Sequence, residues 1–175
     1  MGKAANSSIS LKQIHVTDNF WNKYVHLVKD VIIPYQWDIL NDKLEDVETS
    51  HCIENFKIAA GEKEGEFQGA VFQDTDVAKW LEAVGFVLNY ERDEKLEELA
   101  DETIELIGRA QQPDGYLNTY FTIKEPDGRW SNLMEGHELY TAGHMIEAAV
   151  AYYEATGKRR FLEIVSRSEE RRVGK

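Results

Sequence analysis

Residues Asp74 to Ile107 read DTDVAKWLEAVGFVLNYERDEKLEELADETIELI, two apolar-periodic runs separated by the charged break Glu91-Arg92. In the first run Val77, Trp80, Leu81, Val84 and Leu88 recur at intervals of three and four residues and form one helical stripe. In the second, Leu96, Leu99, Ala100, Thr103, Ile104 and Ile107 fall on one side and the acids on the other. Asp93 stands where a helix N-cap is wanted, and Asp74 or Asp76 is placed to cap the first run. So short a break turns the chain straight back, and the two runs make an antiparallel helical hairpin.

The same period extends in both directions. Phe20, Tyr24, Leu27, Val28, Val31 and Tyr35 follow Thr17-Asp18-Asn19 at helical spacing. Pro34 is set to kink or break that helix, and Asn41-Asp42 to end it. A short helix covers about Ile53 to Ala60 and stops at Gly61. Beyond the hairpin lies a long irregular segment, Gln111 to Gly136, in which Tyr116 to Thr122 has the composition of a strand. Another helix runs from about His137 to Thr156 and ends at Gly157, and a last one begins near Arg160. The chain is therefore all-α, a succession of antiparallel helical hairpins. In an up-down succession, the helices beginning near Phe20, Asp76 and His137 start on one side. The long connections Gly61 to Thr75 and Gln111 to Gly136 gather there with the positive helix N-termini, and that face is the candidate site.

The 175 residues carry 32 acids and 20 bases, a net charge of −12, with 42% apolar side chains, enough for a packed core. Eight acids and two bases lie between Glu91 and Glu105, which is half of the net charge and reads as the solvent face of a helix. Such a body repels phosphate backbones and anionic lipid surfaces, so neither nucleic acid nor a membrane is an expected partner. No run approaches a membrane-spanning length, and Met1 to Ser10 lacks the apolar centre of a signal peptide, so a soluble cytoplasmic protein is expected. Cys52 is the sole cysteine, which excludes an internal disulfide and any multi-cysteine metal cluster built by this chain alone.

Three constellations could carry chemistry. Phe72-Gln73-Asp74-Thr75-Asp76 leads into a helix, where Gln and Asp side chains suit paired contacts to sugar hydroxyls; the competing reading makes the acids caps. Gln111-Gln112-Pro113-Asp114-Gly115-Tyr116-Leu117-Asn118 contains a Pro-Asp-Gly turn, and Tyr116, Tyr120 and Trp130 could stack on a sugar face or equally fill the core. His137-Glu138-Leu139-Tyr140 through His144 does not make a zinc-protease site. Seven residues separate the histidines by roughly 10 Å along a helix at about 1.5 Å per residue, too far to share one ion at about 2.1 Å. His137, in the first turn on the loop-rich face, is the functional candidate; His144 is expected to make a buried structural hydrogen bond.

These motifs resemble one family. Val31-Ile32-Ile33-Pro34-Tyr35-Gln36-Trp37, Ile53-Glu54-Asn55-Phe56, Val71-Phe72-Gln73-Asp74 through Glu82, Ala110 to Phe121 and His137-Glu138-Leu139-Tyr140 through His144 are similar to segments of the bacterial β-L-arabinofuranosidases. The similarity runs from about Ile9 to Val165. It implies an (α/α)6 barrel and retaining hydrolysis of terminal β-L-arabinofuranosyl residues. It also implies a cysteine nucleophile, a glutamate acid/base, and a zinc ion held by a glutamate and three cysteines. His137 matches a substrate-binding histidine, and Gln73, Asp76 and Tyr116 sit in matching motifs, so these four are the expected substrate contacts. The implied partner is an L-arabinofuranosyl oligosaccharide or glycoconjugate, and the parent could assemble as a homodimer.

The departures set further expectations. A toroid of twelve helices needs more than twice this chain, so an incomplete (α/α)6 barrel of about six helices is expected, with no catalytic residue and no metal bound within it. Cys52 stands where the family tends to have a small residue and is not the nucleophile. Residues 1–165 would be the N-terminal half of the catalytic domain, and the chain itself inactive. Ser166 to Lys175 holds one apolar side chain, Val173, and resembles vector- or adapter-derived read-through, so 166–175 is expected to be a non-native tail. Half a toroid would also leave apolar inner helix faces bare. Two other readings compete. An unsaturated uronyl hydrolase would place its acids among Asp74, Asp76 and Asp114. A helical-repeat interaction module would show period-length self-similarity and equal hairpins, neither of which the sequence has.

Overall fold

The computed structural model of the chain describes residues 9–173. The first helical stretch opens with α1, Asn19–Leu27, whose N-cap Asp18 accepts from the N–H groups of Phe20 and Trp21 at 2.8 and 2.9 Å. It passes through a wider turn at Val28–Ile32 into α2, Ile33–Leu40. Of the kink or break expected at Pro34, the break does not occur; the stretch is instead irregular at Val28–Ile32 and ends at Leu40, beside the expected Asn41-Asp42. The backbone stays right-handed helical at Val28, Ile32 and Ile33. The wide turn just ahead of the proline takes up its missing N–H and its ring.

A short α3, Cys52–Ala59, is followed by the hairpin of α4, Asp74–Tyr90, and α5, Glu94–Ala110, the latter capped by Asp93. Residues 119–123 form α6, a single turn capped by Asn118, where the composition suggested a strand. No strand occurs among the described residues, so the β-prone side chains of that stretch have no partner strand, and the cap decides for a turn. Then come α7, Glu138–Thr156, closed by Gly157 in the left-handed conformation, and α8, Arg160–Val173. No helix among the described residues is long and apolar enough to cross a membrane.

Two parallel pairs build the body. Phe72 meets His137, Lys79 meets Tyr140, and Gly85 meets Ala151, so α4 and α7 run side by side in the same direction. A Cβ at Gly85 would lie 2.8 Å from the Ala151 carbonyl carbon and 2.9 Å from the Tyr152 nitrogen, which is why glycine stands there. On the other layer α5 runs parallel to α8: Glu105 pairs with Arg160, and the Gln111 side chain donates to the Ile164 carbonyl. Each hairpin is antiparallel, and between the layers lie Val77, Leu81, Val84, Ile104, Ile107, Met145, Ala148, Tyr152, Phe161 and Ile164, all nearly fully buried. This two-layer arrangement is an incomplete (α/α)6 barrel.

The first helix does not start on the same side as α4 and α7. Tyr90 reaches the Val16 carbonyl and Asn22, whereas Trp80 donates to the Ile33 carbonyl at 3.1 Å and packs at a tilt against Trp37. The stretch from α1 to α2 therefore runs antiparallel to α4 and brings its end, not its beginning, to the loop-rich face. The physical reason is that α3 has eight residues and does not return the chain across the body. The stripe Phe20, Tyr24, Leu27, Val31 and Tyr35 faces solvent, and a groove of about 510 Å³ opens between Trp21, Tyr24 and Val28 on one side and Phe86 and Val87 on the other. Tyr140 and Val150 of α7 are also bare. The acidic side of α5 is less purely solvent-facing than its composition suggests. Glu97 and Asp101 share Lys158 at 2.5 Å each, and Tyr152 donates to Asp101 at 2.7 Å.

Candidate functional site

The N-terminal ends of α4 and α7 lie beside each other, and the long segment 111–136 is folded over both. Two buried carboxyl groups fasten it. Asp74, in the first turn of α4, accepts from the Thr119 N–H at 2.7 Å and the Thr119 hydroxyl at 2.5 Å. Glu138, in the first turn of α7, accepts from the Tyr116 hydroxyl and, at 2.7 Å, from the Trp130 N–H. Neither acid caps its own helix, so the expectation of an Asp74 or Asp76 cap on α4 is corrected: the long segment satisfies Asp74 instead. Burial foremost raises the Asp74 carboxyl to about 6, with Asp76 adding to it and the two Thr119 bonds opposing it.

Gln73 and Asp76 form a linked pair. The Gln73 amide donates to Asp76 at 2.9 Å and to the Ser50 hydroxyl at 3.3 Å, while its oxygen accepts from the Ala70 N–H. Partial burial raises the Asp76 carboxyl above its ordinary value, and the nearby Lys79 ammonium opposes the rise. Asp76, Lys79, Ser50, Gln36 and Trp80 line a cavity of about 350 Å³.

His137 occupies the N-cap of α7 with φ 53°, outside the helix and not in its first turn. Its Nδ1 lies 2.9 Å from the Met134 carbonyl. A carbonyl can only accept, so Nδ1 carries the proton and Nε2 is the nitrogen able to meet a ligand. The ring is stacked on Phe72 at 5.3 Å and 20° and meets the Tyr140 ring edge-on. Phe72, His137, Tyr140, Leu133 and Met134 line a second cavity of about 330 Å³. Lys79 of the first cavity lies 5.5 Å from the ring centre of Tyr140 of the second, so the two adjoin.

The fold thus brings Gln73, Asp76 and His137 to one face. Tyr116 is elsewhere. It is 2% exposed, its hydroxyl is spent on Glu138, one ring face is covered by the Arg129 guanidinium at 4.1 Å, and Trp130 meets it edge-on. Burial and then the Glu138 contact push its phenol far up. The stacking platform of Tyr116, Tyr120 and Trp130 is not formed, because Tyr116 is the internal strut of the long segment. His144 makes no hydrogen bond at Nδ1. Asp114 accepts from the Tyr116 N–H within its turn and both Asp74 oxygens are engaged by Thr119; among the described residues the first cavity is lined by one acid, Asp76, and the second by none, so no acid pair spans either. Phe72, Lys79 and Tyr140 join the site without having been singled out; only their place within the matching motifs could have marked them.

The zinc donor set that the resemblance implies does not fit the residues present. Cys52 is fully buried, its thiol donates to the Gln73 carbonyl, and burial raises it well above the ordinary thiol value. It is the chain's one cysteine, and a buried thiol held in its neutral form is neither a nucleophile nor a zinc ligand.

The sequence pattern of "Beta-L-arabinofuranosidase, GH127 catalytic domain" matches residues 13–170. The non-reducing end β-L-arabinofuranosidase of Bifidobacterium longum is 41% identical over 170 residues, which cover 88% of this chain and 26% of that protein. A crystal structure of a GH127 β-L-arabinofuranosidase from Geobacillus stearothermophilus T6 superposes with a TM-score of 0.89 and 62% identity, covering 91% of this chain and 25% of that one. A second solved structure, a GH127 β-arabinofuranosidase, gives 0.83 and 34%, covering 93% of this chain. The chain spans about a quarter of the length of these relatives. Matched over residues 13–170, this chain belongs to the GH127 β-L-arabinofuranosidase catalytic-domain family.

Proposed function

We propose that this chain supplies the sugar-recognition side of a retaining β-L-arabinofuranosidase, and that the nucleophile, the acid/base and the zinc site come from sequence outside these residues. The observation that carries the reading is His137. Its Nδ1 proton is committed to Met134, its ring is held by Phe72 and Tyr140, and its Nε2 is left to accept from a sugar hydroxyl at the edge of an aromatic-lined cavity. Asp76, oriented by Gln73, offers a second acceptor in the adjoining cavity. A furanose presents adjacent hydroxyls that suit such a pair of acceptors. The substrate is a glycan or glycoconjugate ending in a β-L-arabinofuranosyl residue.

The test has two arms. The purified 175-residue chain should release no arabinose from an aryl β-L-arabinofuranoside; release would show that the chemistry lies within these residues. In ligand-observed NMR the same chain should bind methyl β-L-arabinofuranoside weakly, and His137→Ala should abolish the signal while His137→Gln keeps part of it. Equal binding by wild type and His137→Ala would remove His137 from the site.

A further inference from the structure

We infer that Glu82 of α4 with His144 and Glu147 of α7 forms a binding site for a divalent transition-metal cation such as Zn²⁺, independent of the arabinofuranosidase reading. The donor atoms of the three side chains all lie within 4.8 Å of one another. His144 Nδ1 stands 3.3 Å from the Glu147 carboxylate. Imidazole and carboxylate ligands of one zinc ion at about 2.0–2.2 Å place their donor atoms about 3–3.5 Å apart, so this separation, which also suits an ion pair to a protonated imidazole, has room for a shared ion. No hydrogen bond occupies the contact: Nδ1 is sealed from solvent and has no hydrogen-bond partner. A buried ring nitrogen without a partner is uncommon and calls for one.

The backbone builds the site from rigid parts. His144 and Glu147 are three residues apart on α7 and project from one face. Glu82 projects from the neighbouring α4, which the close approach at Gly85 and Ala151 fixes against α7. The edge-on ring of Tyr140, 4.6 Å away at 90°, holds the imidazole plane. Two carboxylates and one imidazole suit zinc, manganese or cobalt more than calcium or magnesium, and three protein donors leave at least one position for water or another ligand. The set contains no thiolate, lies two helical turns below His137, and differs in donor chemistry from the cysteine-rich zinc centre that the resemblance implies.

The chain, freed of metal with chelator, is titrated with ZnCl₂ by calorimetry. One equivalent should bind in the micromolar range, with Glu82→Gln and His144→Ala each weakening it about tenfold or more and Glu102→Gln, an exposed acid on α5, leaving it unchanged. Zinc should also raise the melting temperature of wild type and not that of His144→Ala. Glu82→Gln preserves side-chain volume at a partly exposed position, so it reads the site even where His144→Ala unfolds. No saturable binding, or binding that Glu82→Gln leaves unaltered, overturns the inference.

Discussion

The carboxylate of Asp74 at the start of α4 receives both the backbone N–H and the hydroxyl of Thr119, forty-five residues later in the chain. The acid is therefore a joint between a helix and a loop. Asp74→Asn turns an amide N–H toward the donors of Thr119 and should cost about 1–3 kcal/mol in urea unfolding.

The same joint titrates. Asp74 holds its proton up to about pH 6 in the folded chain against an ordinary 3.8. The folded state therefore binds the proton more tightly than the unfolded one. The contribution of this group is fully present below pH 4 and is lost as pH rises through 6, by about 3 kcal/mol at about 1.4 kcal/mol per unit. The gap in unfolding free energy between wild type and Asp74→Asn should accordingly narrow between pH 4 and pH 7.5. A gap that widens over that range would contradict the assignment.

Tyr116 and Glu138 make the second joint. Tyr116→Phe leaves a buried Glu138 oxygen without its donor, and a loss of about 1–3 kcal/mol is expected on denaturation. Binding of an arabinofuranoside by the folded fraction should not change, because Tyr116 has no exposed face to offer. A selective loss of sugar binding without loss of stability would restore the platform reading.

Two glycines should respond in opposite directions. Gly85→Ala drives a methyl group into the α7 backbone and should destabilise by about 1–3 kcal/mol. Gly143, inside α7, has nothing within 4 Å of an added Cβ, so Gly143→Ala should stabilise by about 0.5–1 kcal/mol through helix propensity alone. Thermal melts of both variants compare them directly.

The bare stripe of α1 predicts a solution property. The chain should bind a hydrophobic dye and self-associate in size-exclusion chromatography at high concentration. Trp21→Lys with Tyr24→Lys should reduce both while changing stability by less than about 0.5 kcal/mol per site, since both side chains are exposed.

The hairpin of α4 and α5 was legible because its stripe is set by local period and its break by a short charged turn. The same holds for the ends at Gly61 and Gly157, where a left-handed residue is required. What the period does not encode is partnership over long distances. The direction of α1 depends on how far α3 carries the chain, and the roles of Asp74, Tyr116 and Glu138 depend on which loop lies over them. Local statistics made Asp74 a cap and residues 116–122 a strand; the actual partners are twenty to forty-five residues away. His137, Gln73 and Asp76 stand out from their place at helix starts on the loop-rich face and again from the family motifs, and the fold brings the three to one face.

The two joints at Thr119 and Trp130 also divide the long segment into independent parts. The ten residues between them form a closed loop whose tip, Lys124 to Asp127, is exposed. Its length can change by insertion or deletion without passing strain to the imidazole of His137, which hangs from Met134 and α7 on the far side of the second joint. Relatives can therefore diversify there while the imidazole of His137 stays where it is. Sequence variation within the family should concentrate at the exposed tip, Lys124 to Asp127, and fall off toward Phe121 and Trp130.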